Sequence, residues 1–160
     1  MRTTLTLLAL LAAAATVQAG GSIQVNFVQP GSFSDVRDGA RRTEDTLAAL
    51  RRYFEAMGAQ VLAEGQTLKI EVLDVDLAGE VRPGLRANDI RVLRGRADWP
   101  RIDLRYTLES PGAPTKSGVA TLADMAYLER MPAHYANDAL PYERRMLEDW
   151  LKTEFRAPLR

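Results

Sequence analysis

The chain has no cysteine and a single histidine, His134. It can therefore contain no disulfide or cysteine nucleophile, and zinc sites built on several histidines are excluded. Net charge is also absent, because 21 basic residues balance 21 acidic ones, so we expect no binding to nucleic acid. The sequence contains no P-loop, dinucleotide-binding or serine-hydrolase motif. These absences leave carboxylate chemistry or a non-catalytic role, and we expect no cofactor.

The amino-terminal residues have the pattern of a cleavable secretory signal peptide. Arg2 is followed by the apolar run 5–15, and Val17 and Ala19 supply the small side chains of a cleavage site. The run is shorter than the roughly 20 residues that cross a bilayer. We therefore expect cleavage after Ala19, export to the periplasm and no transmembrane span in the mature chain. Residues 20–160 should then form one domain.

Hydrophobic periodicity predicts the elements of that domain. Apolar and polar residues alternate in the manner of strands in residues 22–27, 67–80, 101–109 and 118–123, with a shorter possible strand at residues 90–92. Helical spacing is found from about Gly39 to Gly58, with a stripe of Leu47, Leu50, Phe54 and Met57.

Two further helices are expected towards the carboxyl terminus. Asp124 can cap a short helix over residues 125–131, and Asp138 can cap a final amphipathic helix that ends before Pro158. The order β-α-β-(β)-β-β-α predicts an α+β fold. We expect a mainly antiparallel sheet of four to five strands, with two amphipathic helices packed on one face.

The strand beginning at Thr67 has an apolar pattern that changes phase. Leu68, Ile70 and Val72 alternate with polar residues, and the apolar positions then shift to Leu73, Val75 and Leu77. Either the second half is buried on both faces, or a β-bulge near Val72 and Leu73 restores the phase. We favour the bulge, because burying two unpaired carboxylates, Asp74 and Asp76, would cost several kcal/mol each.

With the bulge, Asp74 and Asp76 share the polar face of the strand with Lys69 and Glu71. If this strand pairs with residues 101–109, we expect Asp76 near Arg101, Asp74 near Arg105 and Lys69 near Glu109. Such cross-strand pairs contribute about 0.2–1 kcal/mol each and fix the register. This structural interpretation needs no ligand.

A sharper alternative is a site made of carboxylates. Asp74 and Asp76 lie two residues apart on one strand face, and Glu80 and Asp98 could approach them. Paired carboxylates could serve a glycoside hydrolase, and a larger group could hold calcium. Neither pattern is specific, and no residue is assigned a catalytic or metal-binding role.

Residues 82–105 contain the one local excess of arginine, and Trp99 lies among them. Arg96, Arg101, Asp98 and Trp99 could form a binding surface, because guanidinium and indole groups contact anionic or protein surfaces well. The structural alternative is that the arginines pair with Asp74, Asp76 and Glu80, while Trp99 covers a sheet edge.

Several motifs resemble a known family. LDVDLAGE (73–80), ADWPRIDLRY (97–106), LADMAYL (122–128), LPYERRMLEDW (140–150) and VNFVQPGSFSDV (25–36) occur in order over nearly the whole mature chain. Together they resemble the small exported proteobacterial proteins catalogued as domain of unknown function 3016. The resemblance implies export but no activity and no functional residues.

The leading sequence-based hypothesis is an exported, periplasmic, non-enzymatic binding or accessory module of the cell envelope. Its partner would be an envelope protein or an anionic envelope component. The alternative is a carboxylate-based hydrolase or calcium-dependent module that uses Asp74, Asp76 and Glu80.

Overall fold

The computed structural model describes residues 20–36, 40–83, 89–95, 97–130, 135 and 137–155. The expected signal peptide, Arg96 and His134 lie outside these residues. The elements are β1 Ser22–Phe27, α1 Ala40–Val61, β2 Thr67–Asp76, β3 Glu80–Pro83, β4 Asp89–Val92, β5 Arg101–Glu109, β6 Lys116–Ala123 and α2 Pro141–Phe155, with a 3-10 turn at Pro30–Ser32.

The strands form two sheets. The main sheet has the order β1-β2-β5-β6, and the separate small sheet contains β3 and β4. The β1–β2 pair is parallel, and the β2–β5 and β5–β6 pairs are antiparallel. The predicted α+β class with a mainly antiparallel sheet is therefore confirmed. The short strand expected at residues 90–92 exists as β4, but it pairs with β3 and does not join the main sheet.

One face of the main sheet and both helices enclose the core. The α1 stripe is oriented as predicted, because Leu50, Phe54 and Met57 are buried and Leu47 is partly buried. From α2, Met146, Leu147 and Leu151 enter the same cluster. Within the described residues, neither helix combines the length and apolar character that crossing a bilayer requires.

The predicted β-bulge is present in β2. Val72 pairs with Leu104 and Asp74 pairs with Asp103, so Leu73 is the extra residue. Val72 before the bulge and Val75 after it are both fully buried, while Asp74 and Asp76 lie on the opposite face. The strand expected to continue to Glu80 ends at Asp76, because the chain turns at Gly79, where φ is 82°.

The predicted register is only partly correct. Asp76 lies opposite Arg101, and Lys69 Nζ lies 2.5 Å from Glu109 Oε1. The expected neighbourhood of Asp74 and Arg105 is wrong, because Arg105 lies opposite Glu71, before the bulge, and Asp74 lies opposite Asp103. Arg105 Nε instead lies 2.5 Å from Glu71 Oε2.

Three expectations about the helices are also wrong. Gly58 does not end α1, which continues to Val61. Residues 125–129 form successive turns and no helix; Asp124 Oδ1 accepts a hydrogen bond from the Ala126 amide at 3.2 Å. Asp138 lies three residues before α2 and accepts a hydrogen bond from Arg144 at 2.7 Å.

Gly58 has a packing role that can be tested. A Cβ atom there would lie 2.7 Å from Ile23 Cγ1 and 3.3 Å from the Ile23 amide nitrogen. Gly→Ala stabilises an ordinary helix interior by about 0.5–1 kcal/mol. Here Gly58→Ala should instead lower the free energy of unfolding by about 1–3 kcal/mol, because the site is overpacked. Urea denaturation measures the change. In an Ile23→Ala background the penalty should disappear; an equal penalty in both backgrounds would show that Ile23 is not its cause.

Candidate binding surface

The structure separates the four carboxylates that the sequence could have placed in one site. Asp74 and Asp76 lie at the end of β2, while Glu80 begins β3 and lies 3.1 Å from Arg82 and 3.9 Å from Arg94. Among the described residues, no group of three or more histidine, cysteine, aspartate or glutamate side chains has the arrangement of a metal site. The calcium alternative therefore has no cluster of carboxylates in this part of the chain.

Asp98 has a structural role. Its side chain is buried, and its Oδ2 accepts a hydrogen bond from the Arg94 amide at 2.6 Å. Its carbonyl oxygen accepts one from the Gly79 amide at 2.8 Å. Asp98 therefore closes the loop of residues 93–98 on itself and ties that loop to the end of β2.

Asp74 is also occupied by structural contacts. Its carboxylate accepts hydrogen bonds from the Ser34 amide at 2.7 Å and the Ser34 hydroxyl at 2.6 Å, and it lies 3.5 Å from Arg101 Nη2. Partial burial raises the pKa of Asp74, but the bonds from Ser34, the Val75 amide and the charge of Arg101 together outweigh burial. The net pKa lies below its ordinary value.

Asp76 behaves in the opposite way. Its side chain is half-buried and accepts no hydrogen bond from any residue that the structure describes. Burial raises its pKa, and the nearby carboxylate of Asp35 raises it further; Arg101 and Arg91 oppose this shift only in part. Asp35 itself is paired with Arg91 at 2.7 Å.

The described arginines of the basic segment mostly make internal contacts. Arg91 bonds to Asp35 and to the carbonyl oxygens of Ala78 and Gly79, and Arg101 and Arg105 pair with Asp74 and Glu71. Their partners include the acidic end of β2, as the structural interpretation expected. Arg96, which the sequence placed in the binding surface, lies outside the described residues.

Exposed apolar side chains gather beside this segment. Five large hydrophobic side chains are exposed in the part of the chain that the structure describes. Four of them come from residues 90–93 and 125–128: Ile90 (53% exposed), Leu93 (36%), Met125 (69%) and Leu128 (41%). The two segments meet at Gly95, where a Cβ atom would lie 2.7 Å from Leu128 Cδ1. We call Leu93, Met125 and Leu128 the apolar surface. Sequence reasoning missed it, because no periodicity distinguishes an exposed leucine from a core leucine.

Buried contacts hold the apolar surface in place. Tyr127 is buried, and its hydroxyl accepts a hydrogen bond from the Gly95 amide at 3.1 Å. Its ring packs edge-on against Tyr142 of α2, with 4.9 Å between the ring centroids. Arg145 of α2 donates to the Arg130 carbonyl at 2.8 Å and lies 3.5 Å from Asp124. The apolar surface is therefore displayed on a base fixed at both ends to the core, as binding residues on rigid scaffolds are.

Trp99 follows Asp98 in the loop before β5. It is half-buried, between buried Asp98 and buried Pro100, and its side chain lies outside the core cluster. It is thus neither a fully buried plug nor a freely exposed anchor.

A groove of about 780 Å³ lies on the sheet face turned away from the helices and is lined by β1, β2, β5 and β6. Its charged side chains are already paired, Lys69 with Glu109 and Glu71 with Arg105. The groove therefore offers a ligand no unpaired charge among its lining residues.

Comparison with known proteins places the chain in a family. The profile described as "Protein of unknown function (DUF3016)" matches residues 21–153. The chain belongs to this family. The match confirms the resemblance carried by the sequence motifs. Curated proteins include no match.

One solved structure is similar to this DUF3016 chain only at a low level. It is the minor lipoprotein from Acinetobacter baumannii, with 11% sequence identity, 84% of this chain and 88% of that chain covered, and a TM-score of 0.25. A score this low does not establish a shared fold.

The two carboxylates of β2 in this DUF3016 chain should respond oppositely to neutralisation. Asp74→Asn should lower the free energy of unfolding by about 1–3 kcal/mol at pH 7, because it weakens charge-assisted hydrogen bonds. Asp76→Asn should raise it, because the raised pKa of Asp76 means that its charged form opposes folding. Urea denaturation measures both changes.

The pH dependence of the free energy of unfolding provides the control for these two variants. Asp74 stabilises the fold above its unfolded pKa of about 3.9, and this stabilisation is lost as pH falls through its lower folded pKa. Asp76 lowers the free energy of unfolding when it is charged. This loss of stability appears as pH rises from the unfolded pKa through the higher folded pKa of Asp76. The benefit of Asp76→Asn should therefore disappear in acid; a benefit equally large below pH 3 would contradict an electrostatic cause.

Proposed function

We propose that this protein is an exported, non-enzymatic binding or accessory module of the cell envelope, and that it contacts a protein partner through the apolar surface of Leu93, Met125 and Leu128. The observation that carries the proposal is that these exposed side chains stand on a base fixed by Tyr127, Asp98 and Arg145. Apolar side chains gathered on a rigid surface mark an interaction site more often than isolated exposed residues do.

A binding role fits the carboxylates better than catalysis. Asp74 and Asp98 make structural hydrogen bonds, and Glu80 pairs with arginines on the protein surface. Asp76 is the one carboxylate of the predicted set with a raised pKa and no described hydrogen bond, but a carboxylate mechanism of the glycosidase kind needs two. The polar groups are thus engaged in holding loops, and the apolar surface remains for a partner.

The chemistry of the surface indicates a partner with an apolar patch and acidic residues at its edge. Arg94 follows Leu93 in the chain and Arg130 lies two residues after Leu128, and their side chains are 44% and 57% exposed. Their present partners, Glu80 and Asp149, are also exposed, and such surface pairs contribute little stability. Both guanidinium groups can therefore turn to a partner's carboxylates, and half-buried Trp99, next in the chain to Asp98, is a residue of the kind found in interface hot spots.

Site-specific cross-linking in living cells tests the proposal. A photo-reactive residue placed at Leu93 or at Leu128 should yield the same protein adduct, and one at Gln60, exposed on α1, should not. The adduct should disappear in Leu128→Asp, because a buried charge in the interface would be unpaired. It should weaken in Trp99→Ala. An adduct obtained equally from Gln60, or one that survives Leu128→Asp, would overturn this surface.

Thermal and urea unfolding provide the control for these variants. Leu128→Asp changes an exposed side chain and should leave the free energy of unfolding within about 0.5 kcal/mol of wild type. Trp99→Ala should lower the free energy of unfolding by less than the roughly 3–5 kcal/mol that is typical when a core aromatic side chain is truncated to alanine. A larger loss for Trp99→Ala would make it a structural residue. Cross-linking to lipid alone would identify an anionic envelope component and contradict the protein partner.

Export is supported by the pattern of Arg2, the apolar run 5–15 and the small residues before Gly20. We expect intact-mass measurement of the protein from the periplasm to give a chain that begins at Gly20. Ala19→Arg should block cleavage, because the peptidase accepts only a small side chain at that position. Recovery of uncleaved protein from the membrane in wild-type cells would contradict both the cleavage site and the periplasmic location.

A further inference from the structure

The outer edge of β6 is open. Strand β6 pairs with β5 along its whole length without a register shift, and no described residue bonds to the backbone groups on its other side. Its sequence, KSGVATLA, has no proline and one charge, at its first residue. Val119, at its centre, is 78% exposed, more than any other large hydrophobic side chain of the described residues. Natural edge strands usually carry charges, prolines or bulges that prevent pairing.

The opposite edge of the same sheet is protected. At β1, Arg51 of α1 donates from Nη1 to the Val25 carbonyl at 2.6 Å, and its guanidinium lies 5.4 Å from the centre of the Phe27 ring. Helix α1 therefore blocks β1 with a cation, whereas no side chain among the described residues bonds to the outer backbone groups of β6. The difference between the two edges points to β6 as a surface that accepts a strand.

We propose that β6 pairs antiparallel with β6 of a second copy of this chain, with Val119 opposite Val119 of that copy. The pairing would join two four-stranded sheets into a continuous sheet of eight strands about a two-fold axis. It would bury both valines against each other on the open sheet face and satisfy the free backbone groups. This inference does not depend on the proposed function, because it uses a different surface.

The distribution of charge along β6 favours a second copy as the pairing strand, in the register centred on Val119. In the register centred on Val119, Ser117 lies opposite Thr121 of the second copy, and Lys116 lies opposite Leu122. No charged residue faces its own copy, so no like charges meet. Lys116 is already paired with Glu154 of its own chain at 2.6 Å. Leu122 lines a groove of about 370 Å³ between β6 and α2, and Asp149 in this groove is paired with Arg130 and Arg145. The charges near both ends of β6 are therefore already paired within each copy and do not oppose the pairing of the two strands.

The absence of cysteine makes the test direct. In the proposed register the Cα atoms of opposed Val119 residues lie about 4.5–5.5 Å apart, a separation that a disulfide spans. Val119→Cys should form a disulfide-linked dimer under mild oxidation. Ile90→Cys, exposed on the separate small sheet, should remain monomeric. A mixture of Ser117→Cys and Thr121→Cys chains should cross-link between the two variants, while neither variant alone should do so efficiently.

Sedimentation equilibrium of the wild-type protein provides the measurement without a covalent bond. Edge pairing alone buries less surface than a standard interface of about 1,600 Å², so we expect a concentration-dependent dimer with a dissociation constant in the micromolar range or weaker. Val119→Lys should abolish the dimer, because like charges would stand directly opposite each other; Ile90→Lys should not. A wild-type chain that stays monomeric to millimolar concentration, or a Val119→Cys chain that links no better than Ile90→Cys, would overturn the proposal.

Discussion

The β-bulge at Leu73 is the constraint on which the rest of the structure depends. Strand β2 lies between β1 and β5 in the main sheet, so its phase decides which residues of the sheet face the helices. One extra residue allows Leu68, Ile70 and Val72, and then Val75 and Leu77, to enter the same core. Without it, the second half of the strand would turn Asp74 and Asp76 inward, and two buried carboxylates would outweigh the gain from any one apolar side chain.

Because Asp74 and Asp76 face outward, hydrogen bonds at the end of β2 can hold the neighbouring loops. Ser34 bonds to Asp74, and the Ala78 amide donates to the buried carboxylate of Glu143 in α2 at 2.8 Å. Burial raises the pKa of Glu143, although the bonds from backbone amides oppose this shift. Arg91 adds bonds to two carbonyl oxygens of the same turn. The charge pattern that resembles an active site is thus explained mainly by the need to satisfy buried polar groups.

The sequence was informative wherever one local pattern determined the outcome. Alternation located the strands, and the phase slip located the bulge, because side-chain period and burial are linked directly. Prediction failed where contacts between residues far apart in the sequence determined the structure. Gly58 looks like a helix end, but its missing side chain makes room for Ile23. Residues 125–129 have helical spacing, but Asp124 and buried Tyr127 hold them in turns that contact Gly95. The predicted partner of Arg105 was wrong, because Arg105 lies opposite Glu71, before the bulge, and not near Asp74.

The apolar surface could not have been predicted for the same reason, since the segments that contain Leu93 and Leu128 meet through the tertiary contact between Gly95 and Leu128. Flexible loops can bury exposed leucines by local rearrangement. Here that route is restricted, because Asp98 closes one segment and Tyr127 fixes the other to α2. The fold therefore maintains a permanent exposure of apolar area that it could have avoided with polar residues at no loss to its core. Such exposure is unfavourable for the isolated chain and becomes favourable only when another surface covers it.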